Sequence, residues 1–306
     1  MKWHEQNDIL PWLSDHFIQI IIRQNHHDTP ADYYDHADIN NYYRELYGLP
    51  WLSWMRVNCE SGNFSHFTDF VEYQINNEYA LEPCLDRYYF PFSTYYNKEH
   101  FIHSTFVYGY DNTKKTVFVA DFWESGKYEH KEITYDEMNS SMDNNYIINL
   151  FKLQNATYTF NPILMQTFLE DYLKSTDSFK RFEFSNKEYN KQITFGLGYY
   201  DYLKEYCTNK QLIDIRFFHL LFDHKQLMKY RLEYLFHHKY LTSDSYKLLN
   251  QKNNELINTS LQLRTMVLKY NLTKDSNLLD RILGIISALK KSDQLFVSEL
   301  LNNFNI

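Results

Sequence analysis

The hydrophobic pattern of the chain changes near residue 160, and this change limits the folds open to it. Before that point, short apolar runs alternate with polar residues, which predicts strands together with a few helices. After it, apolar residues recur every three or four positions, which predicts helices at 163–174, 187–207, 211–238, 243–270 and 276–303. We therefore expect an α+β fold. An N-terminal domain of residues 1–155 contains an antiparallel sheet with packed helices, and residues 156–306 form an all-helical C-terminal domain.

Helices in the N-terminal domain are predicted at 9–24, 39–48 and 65–79, and from residue 135. Pro11 falls in the first turn of the first helix, where its missing N–H costs nothing. The third helix has the clearest apolar face, and Ser65 is a favourable N-cap for it.

Strands are predicted at 80–90, 103–109, 116–121 and 127–134. Pro83 places the first of these near an edge or a bulge, because proline cannot donate to a neighbouring strand. The sequence YDNTKK at 110–115 has the composition of a hairpin turn. The two strands that it joins should therefore pair antiparallel.

Charge and composition exclude several classes of function. The net charge of -8 argues against nucleic acid or an anionic membrane as the main partner. With only 7 glycines, the chain has neither GxGxxG nor GxxxxGK[ST], so no phosphate-binding loop is predicted. No apolar run approaches the roughly 20 residues that span a bilayer, and no signal peptide is recognised at the start. The 3 cysteines form no CxxC motif, which favours a reducing, cytoplasmic setting.

A histidine and an aspartate stand at the ends of the predicted hairpin strands that lie away from the turn. On a strand, side chains alternate between faces, so His103 shares a face with Thr105, and Asp121 shares one with Val119. Antiparallel pairing would bring His103 and Asp121 together. A histidine oriented by a carboxylate is the base half of a nucleophilic triad. The alternative is that both are solvated residues at the edge of a sheet.

The string HSTFVYGYD followed by VFVAD resembles the His and Asp strands of papain-like, C39-type cysteine peptidases, with His103 six residues before Gly109. Residues 65–137 are similar to the N-terminal domain family of butirosin biosynthesis protein H. The shared strings are INNEY, LDRYYFP, HFIHSTFVYGYD, ADFWESGKY and ITYDEM. The strings FGLGYYDYL (195–203) and DHKQLMKYRLEYL (223–235) resemble the helical regions that follow this domain.

The resemblance implies a papain-like domain over residues 1–155 and an acyltransferase, amide-forming or thioester-processing role in a peptide natural-product pathway. It implies His103 and Asp121 as catalytic residues. It also implies an acyl or peptidyl carrier protein and a peptide-like or amine substrate as partners. Neither a metal nor an organic cofactor is expected, and the oligomeric state is left open.

The sequence leaves the nucleophile unidentified. In papain-like folds the catalytic Cys begins the first long helix, where the helix dipole lowers its pKa. The helix predicted at 9–24 corresponds to the region just after that position, so the Cys either precedes this chain or is lost. Cys59 is the best remaining candidate, whereas Cys84 and Cys207 are expected to be structural. Ser14 has no supporting pattern.

Other polar groups are weaker candidates. His100 is a second possible base, on the strand face opposite His103. The segment 26–36 is rich in His and Asp, and His219 and Asp223 are spaced i,i+4 on a predicted helix. Neither group has the spacing of a known zinc motif. Solvated side chains in the first case and a hydrogen-bonded pair in the second are the better interpretation.

Two functions stay open: a papain-like acyl-transfer enzyme, and a non-catalytic binding or accessory protein of the same fold. A metal hydrolase would rest on the 26–36 segment alone.

Overall fold

The computed structural model describes residues 8–23, 31–33, 50–60, 66–123, 127–142, 145–178 and 193–305. The chain forms two compact units. The sheet unit is Leu49–Ala156, and the helical unit combines Met1–Gly48 with Thr157–Ile306. The sequence-based division assigned the first 48 residues to the first domain, whereas their contacts group them with the C-terminal residues.

The elements follow one another in this order: α1 (Leu10–Asp15), β1 (Ile20–Arg23), β2 (Ala31–Tyr33), β3 (Leu52–Glu60), α2 (Phe67–Asn76), β4 (Ala80–Glu82), β5 (Cys84–Asp86), a 3₁₀ turn (Arg87–Tyr89), β6 (Ile102–Ser104), β7 (Phe106–Asp111), β8 (Thr116–Phe122), β9 (Tyr128–Thr134), α3 (Tyr135–Ser140), β10 (Asn145–Leu153), α4 (Pro162–Lys174), β11 (Ile193–Phe195), α5 (Gly198–Asn209), α6 (Arg216–His237), α7 (Ser243–Thr273) and α8 (Ser276–Asn303). The mixed α+β class and the helical C-terminal region are as predicted. The predicted helix at 39–48 and its cap, and the cap at Ser65, lie outside the described residues.

The core of the sheet unit is a six-stranded antiparallel sheet in the order β3–β10–β4–β7–β8–β9. The predicted hairpin is confirmed, because β7 and β8 pair from Asp111↔Thr116 to Phe106↔Ala120. A bulge between Val107 and Gly109 interrupts their register. A Cβ at Gly109 would lie 2.8 Å from the Phe118 ring, so any larger residue at the bulge would have to displace that ring. The alternating residues Val117 and Val119 are buried in one apolar core with Phe70, Val71 and Met138 of α2 and α3.

The predicted strand at 80–90 is broken, and this break shapes the site described below. Pro83 separates β4 from β5, and its carbonyl accepts a hydrogen bond from the Thr105 N–H at 2.9 Å. β5 then pairs with β6, with Leu85 opposite His103. After β5 the chain turns, because the Asp86 carboxylate accepts the Tyr88 N–H at 3.0 Å. The last part of the prediction is therefore wrong: Arg87–Tyr89 is a 3₁₀ turn.

Two helix predictions are wrong in part within the helical unit. The helix predicted at 9–24 ends at Asp15, Phe17 has a left-handed backbone (φ 54°), and the isoleucine run that follows is β1. Three successive β-branched residues favour a strand, and β1 is buried between β11 and β2. In the segment predicted as helix 187–207, β11 precedes α5. The C-terminal region is therefore helical as predicted, but its described residues include one three-residue strand, β11.

The start of the chain is held to the helical unit by a buried arginine. The last carbonyls of a helix have no partner within it. Arg231 of α6 donates to three such oxygens around the end of α1, those of Leu13, Ser14 and His16, at 3.2, 2.8 and 2.7 Å. Sequence periodicity could not reveal this contact, because its partners are more than 200 positions apart.

The helical unit also buries an ion pair. Lys225 Nζ of α6 lies 2.6 Å from Asp293 Oδ2 of α8, and both side chains are fully buried. The same oxygen accepts the hydroxyl groups of Tyr172 and Tyr200, at 2.5 and 2.8 Å. Burial lowers the pKa of Lys225, and Asp293 opposes that shift. Within the described residues no helix has both the length and the apolarity needed to cross a bilayer.

We expect Lys225→Met to lower the free energy of unfolding by about 3 kcal/mol, because it leaves the Asp293 carboxylate buried without its cation. The double variant Lys225→Met/Asp293→Asn removes both charges and should be more stable than the single variant. Urea denaturation followed by circular dichroism measures both. A double variant that is less stable than Lys225→Met would contradict this account.

Candidate functional site

The structure brings together the histidine and the aspartate singled out in the sequence. His103 lies in β6 and Asp121 near the end of β8, and His103 Nδ1 is 3.1 Å from Asp121 Oδ2. The Asp121 side chain is buried, whereas that of His103 is 44% exposed. Thr105, which was predicted to share the face of His103, also donates to Asp121 Oδ2, at 3.2 Å. The carboxylate thus lies beneath an imidazole that stays accessible.

The neighbours of His103 Nδ1 determine which tautomer the ring adopts. The Ser104 carbonyl oxygen is 2.7 Å from Nδ1, and Asp121 Oδ2 is 3.1 Å away. Both are acceptors only. Arg87 Nη2, a donor, is also 3.0 Å from Nδ1, but it is closer to Asp121 Oδ2, at 2.5 Å, and donates there. The proton of the neutral ring is therefore assigned to Nδ1. Nε2 then carries a lone pair, which is the arrangement that a general base requires.

Arg87 completes the site, and sequence reasoning missed it. Its Nη2 lies 2.5 Å from Asp121 Oδ2 and 3.0 Å from His103 Nδ1. The residue is 7% exposed, and its guanidinium lies over the Trp123 ring, 4.7 Å from the ring centroid. The backbone N–H of Arg87 donates to the Phe101 carbonyl at 2.9 Å, which fixes the 3₁₀ turn against the β6 segment.

Asp121 is ionised at neutral pH. Burial alone would raise the pKa of its carboxyl group. The hydrogen bond with His103, the charge of Arg87 and the Phe122 N–H outweigh burial, so the pKa is lowered. The pair of Asp121 and Arg87 therefore has no net charge and can hold the imidazole without adding charge to the site.

A pocket of about 330 Å³ opens beside this group. It is lined by Arg87, Ser93, Thr94, Tyr95, Phe101, His103 and Trp123. Tyr95 stacks on Phe101, with ring centroids 4.3 Å apart, and Phe101 stacks on His103 at 5.7 Å. The pocket thus has aromatic walls and a basic imidazole at its side, and its volume falls in the range of small-molecule sites.

The cysteines do not complete a triad with His103 in the part of the chain that the structure describes. Cys84 pairs with Ser104, so strand alternation directs it to the face opposite His103. Burial, and then the charge of Glu82, raise the pKa of its thiol. Cys59 lies in β3, four strands from β8, which corresponds to about 19 Å at the usual spacing between strands.

The remaining candidate nucleophiles have structural roles in the helical unit. Cys207 is buried in α5, and burial raises the pKa of its thiol to about 12. Ser14 is buried in α1 and donates its hydroxyl hydrogen to the Leu10 carbonyl at 2.7 Å.

His100 forms a second His–Asp pair, with Nδ1 2.6 Å from Asp86 Oδ2. Its side chain is 66% exposed and stacks on Tyr88. Burial would raise the pKa of Asp86, but His100 and the N–H groups of Tyr88 and Phe101 lower it overall. This aspartate already shapes the 3₁₀ turn, and His100 does not line the pocket described above. The geometry therefore favours His103.

The His and Asp groups considered as metal ligands are not assembled in the described residues. The segment 26–36 lies outside them except for 31–33, where Asp32 accepts the Tyr33 N–H at 2.8 Å. His219 Nδ1 lies 3.2 Å from Arg264 Nη1, a contact unlike that of a metal ligand. Across the ranges that the structure describes, no three His, Cys, Asp or Glu side chains converge as a metal site would require.

No protein-family profile matches the chain, and no curated protein is significantly similar to it.

We expect Asp121→Asn to lower the free energy of unfolding by about 2 kcal/mol at pH 7, because Arg87 stays buried without its counter-ion. The folded-state pKa of Asp121 lies below that of the unfolded chain. The contribution of ionised Asp121 to the free energy of unfolding is therefore complete above about pH 4. It is lost as the pH falls through the lower pKa that Asp121 has in the folded state. Urea denaturation should show that the difference in the free energy of unfolding between wild type and Asp121→Asn narrows below pH 4.

Glu99→Gln, which removes an exposed charge, is the control. A difference between wild type and Asp121→Asn that widens in acid would contradict the assignment.

Proposed function

We propose that the sheet unit is a papain-like domain of the acyl-transfer class, in which His103 and Asp121 supply general-base chemistry at the aromatic pocket. The single observation that carries this proposal is the placement of His103: Nδ1 is held by Asp121 and the Ser104 carbonyl, which leaves Nε2 as an acceptor. The resemblance to butirosin-type domains supports an acyl donor carried by a carrier protein, an amine or peptide-like acceptor and a peptide natural-product pathway.

The acyl donor in this proposal is an acyl thioester, and the acceptor is an amine. The amine nitrogen attacks the carbonyl carbon, a C–N bond forms, and His103 Nε2 takes the proton of the amine. The tetrahedral intermediate then collapses: the C–S bond breaks, and the proton on Nε2 passes to the departing sulfur. Atoms and charge balance without a redox partner.

The buried groups below the imidazole stabilise the charge that develops in this step. When Nε2 accepts a proton the ring becomes an imidazolium, and the Asp121 carboxylate stabilises its charge. Arg87 keeps Asp121 ionised and fixed in place, and so acts as a positioning residue. The direct attack of an amine needs no cysteine, which agrees with the positions of Cys59 and Cys84.

The positions of the cysteines also favour a second function, that of a binding protein that has kept the aromatic pocket beside His103. Papain-like catalysis uses a thiolate next to the histidine, whereas the Cys84 thiol has a raised pKa and lies on the other face of β5. Such a protein would hold an acyl or peptide-like ligand beside His103 without transforming it.

The test of the first function is turnover of a small acyl thioester, such as benzoyl-N-acetylcysteamine, with an alkylamine as acceptor. We expect thiol release and amide formation, and His103→Ala should lower the rate by about 10²–10⁴-fold, the usual contribution of a general base. Cys84→Ser and Cys59→Ser should keep the wild-type rate. His100→Ala is the matched control, since it removes the other His–Asp pair.

The possible results separate the two functions. Loss of turnover in Cys59→Ser or Cys84→Ser, or full activity in His103→Ala, would overturn the general-base proposal. Binding of the thioester without thiol release, at rates equal to the uncatalysed reaction, would support the binding protein instead.

A further inference from the structure

Arg87 has more hydrogen-bond donors than the described residues satisfy. An arginine side chain has five N–H groups. Nη1 contacts the Phe122 carbonyl at 3.4 Å, and Nη2 contacts that oxygen at 3.5 Å and Asp121 Oδ2 at 2.5 Å. Nε is buried and has no acceptor in the described part of the chain. Nε–H and one N–H of Nη1 are therefore without an acceptor among the residues that the structure describes.

An unsatisfied buried donor is costly, and this one belongs to a residue that lines the pocket. Ser93 also lines the pocket, and its hydroxyl oxygen accepts a hydrogen bond from the Tyr95 N–H at 3.1 Å. Nε has almost no accessible surface, so the donor that a ligand can reach is Nη1, whose one described contact is the Phe122 carbonyl at 3.4 Å. A ligand oxygen that approaches Nη1 from the pocket would supply it with a second acceptor. The pocket therefore selects for an oxygen that accepts hydrogen bonds.

The charge of the site indicates which kind of oxygen fits. Arg87 is already neutralised by Asp121, 2.5 Å away, and both side chains are only 8% exposed. A carboxylate would add an unbalanced negative charge beside Asp121 in a mostly aromatic pocket, which is unfavourable. An amide or thioester carbonyl accepts the same hydrogen bond without adding a charge.

The walls of the pocket indicate the shape of the group attached to that carbonyl. Tyr95 and Phe101 are stacked nearly parallel, with 14° between their planes, and Phe101 stacks on His103 in turn. The faces between these rings cover one another, so the rings offer their edges and the outer face of Tyr95 to a ligand. The Trp123 ring is held in place by its Nε1–H bond to the Glu129 carbonyl at 2.9 Å. Aromatic edges and faces pair favourably with planar π-systems, in edge-to-face or offset-stacked geometry.

We propose that this pocket binds an uncharged, planar acyl group, aromatic or α,β-unsaturated, whose carbonyl oxygen accepts hydrogen bonds from Arg87. This inference rests on the proposed function, since it names the acyl class delivered to His103. It assigns Arg87 a second role, in selecting the acyl group, beyond its pairing with Asp121.

Binding of small amides tests the proposal without requiring turnover. Benzamide is the probe, and cyclohexanecarboxamide is its non-planar counterpart. We expect benzamide to shift the side-chain Nε–H resonance of Arg87 in ¹H–¹⁵N spectra and to bind at least about five-fold more tightly than cyclohexanecarboxamide. Benzoate, which has the same ring and a charge, should bind more weakly than benzamide.

Variants separate the role of Arg87 in binding from its role in folding. Asp121→Asn and Arg87→Gln/Asp121→Asn are compared, because the double variant leaves no buried charge unpaired. We expect the double variant to bind benzamide at least about ten-fold more weakly than Asp121→Asn does. Arg56→Gln, which removes an arginine of β3 in the same sheet unit, is the control and should bind normally. Phe101→Leu should weaken benzamide more than cyclohexanecarboxamide, and circular dichroism checks that each variant is folded.

The outcomes distinguish this inference from the general-base proposal. The planar-acyl pocket would be overturned if benzamide and cyclohexanecarboxamide bound equally, or if Asp121→Asn and Arg87→Gln/Asp121→Asn bound benzamide equally. This holds even if His103-dependent thioester turnover were observed. Tighter binding of benzoate than of benzamide would overturn the inference that the pocket selects an uncharged carbonyl. Benzamide binding with the expected pattern but turnover independent of His103 would support the pocket and overturn the general-base function.

Discussion

The ion pair between Arg87 and Asp121 is the interaction on which the site depends. It joins two segments that the sheet alone would not bring together, the 3₁₀ turn after β5 and the end of β8. Arg87 keeps Asp121 ionised in a buried position, and Asp121 in turn holds the Nδ1 side of His103. The same pairing fixes the guanidinium at the floor of an aromatic pocket. Orientation of the base and recognition of a ligand thus come from one buried contact.

Alternation and turn composition were sufficient to predict the hairpin of β7 and β8, because it is local and joined by a short loop. His103 does lie beside Asp121, but not as predicted: the strand breaks at Thr105, and His103 belongs to β6, which pairs with β5. Arg87 could not be found in this way. It lies 34 positions from its partner, in a run of apolar and aromatic residues that resembles a continuous strand. Only the break at Pro83 and the turn initiated by Asp86 bring the guanidinium to Asp121. A buried cation in such a run is the one signal that could have indicated a carboxylate partner.

The helix predictions at 9–24 and 187–207 fail for one physical reason: tertiary pairing overrides helical periodicity over short apolar runs. Ile20–Arg23 fits a helical pattern, but its β-branched residues pair with β11, about 170 positions later in the chain. The left-handed turn at Gly196, where a Cβ would lie 2.2 Å from the Tyr172 carbonyl oxygen, separates β11 from α5. By contrast, α4 and α8 lie within a residue of their predicted bounds, because long periodic segments with caps at Asn161 and Asp275 need no distant partner.

The tautomer of His103 tests the central claim most directly. Long-range ¹H–¹⁵N correlation spectra of the imidazole rings, with His103 assigned by comparison with His103→Ala, report which ring nitrogen carries the proton. The account predicts that neutral His103 is protonated at Nδ1, with Nε2 free, and that Asp121→Asn weakens this preference. A neutral His103 protonated at Nε2 in the wild-type protein would contradict the account, because no acceptor for the proton of a nucleophile would then remain on the pocket side.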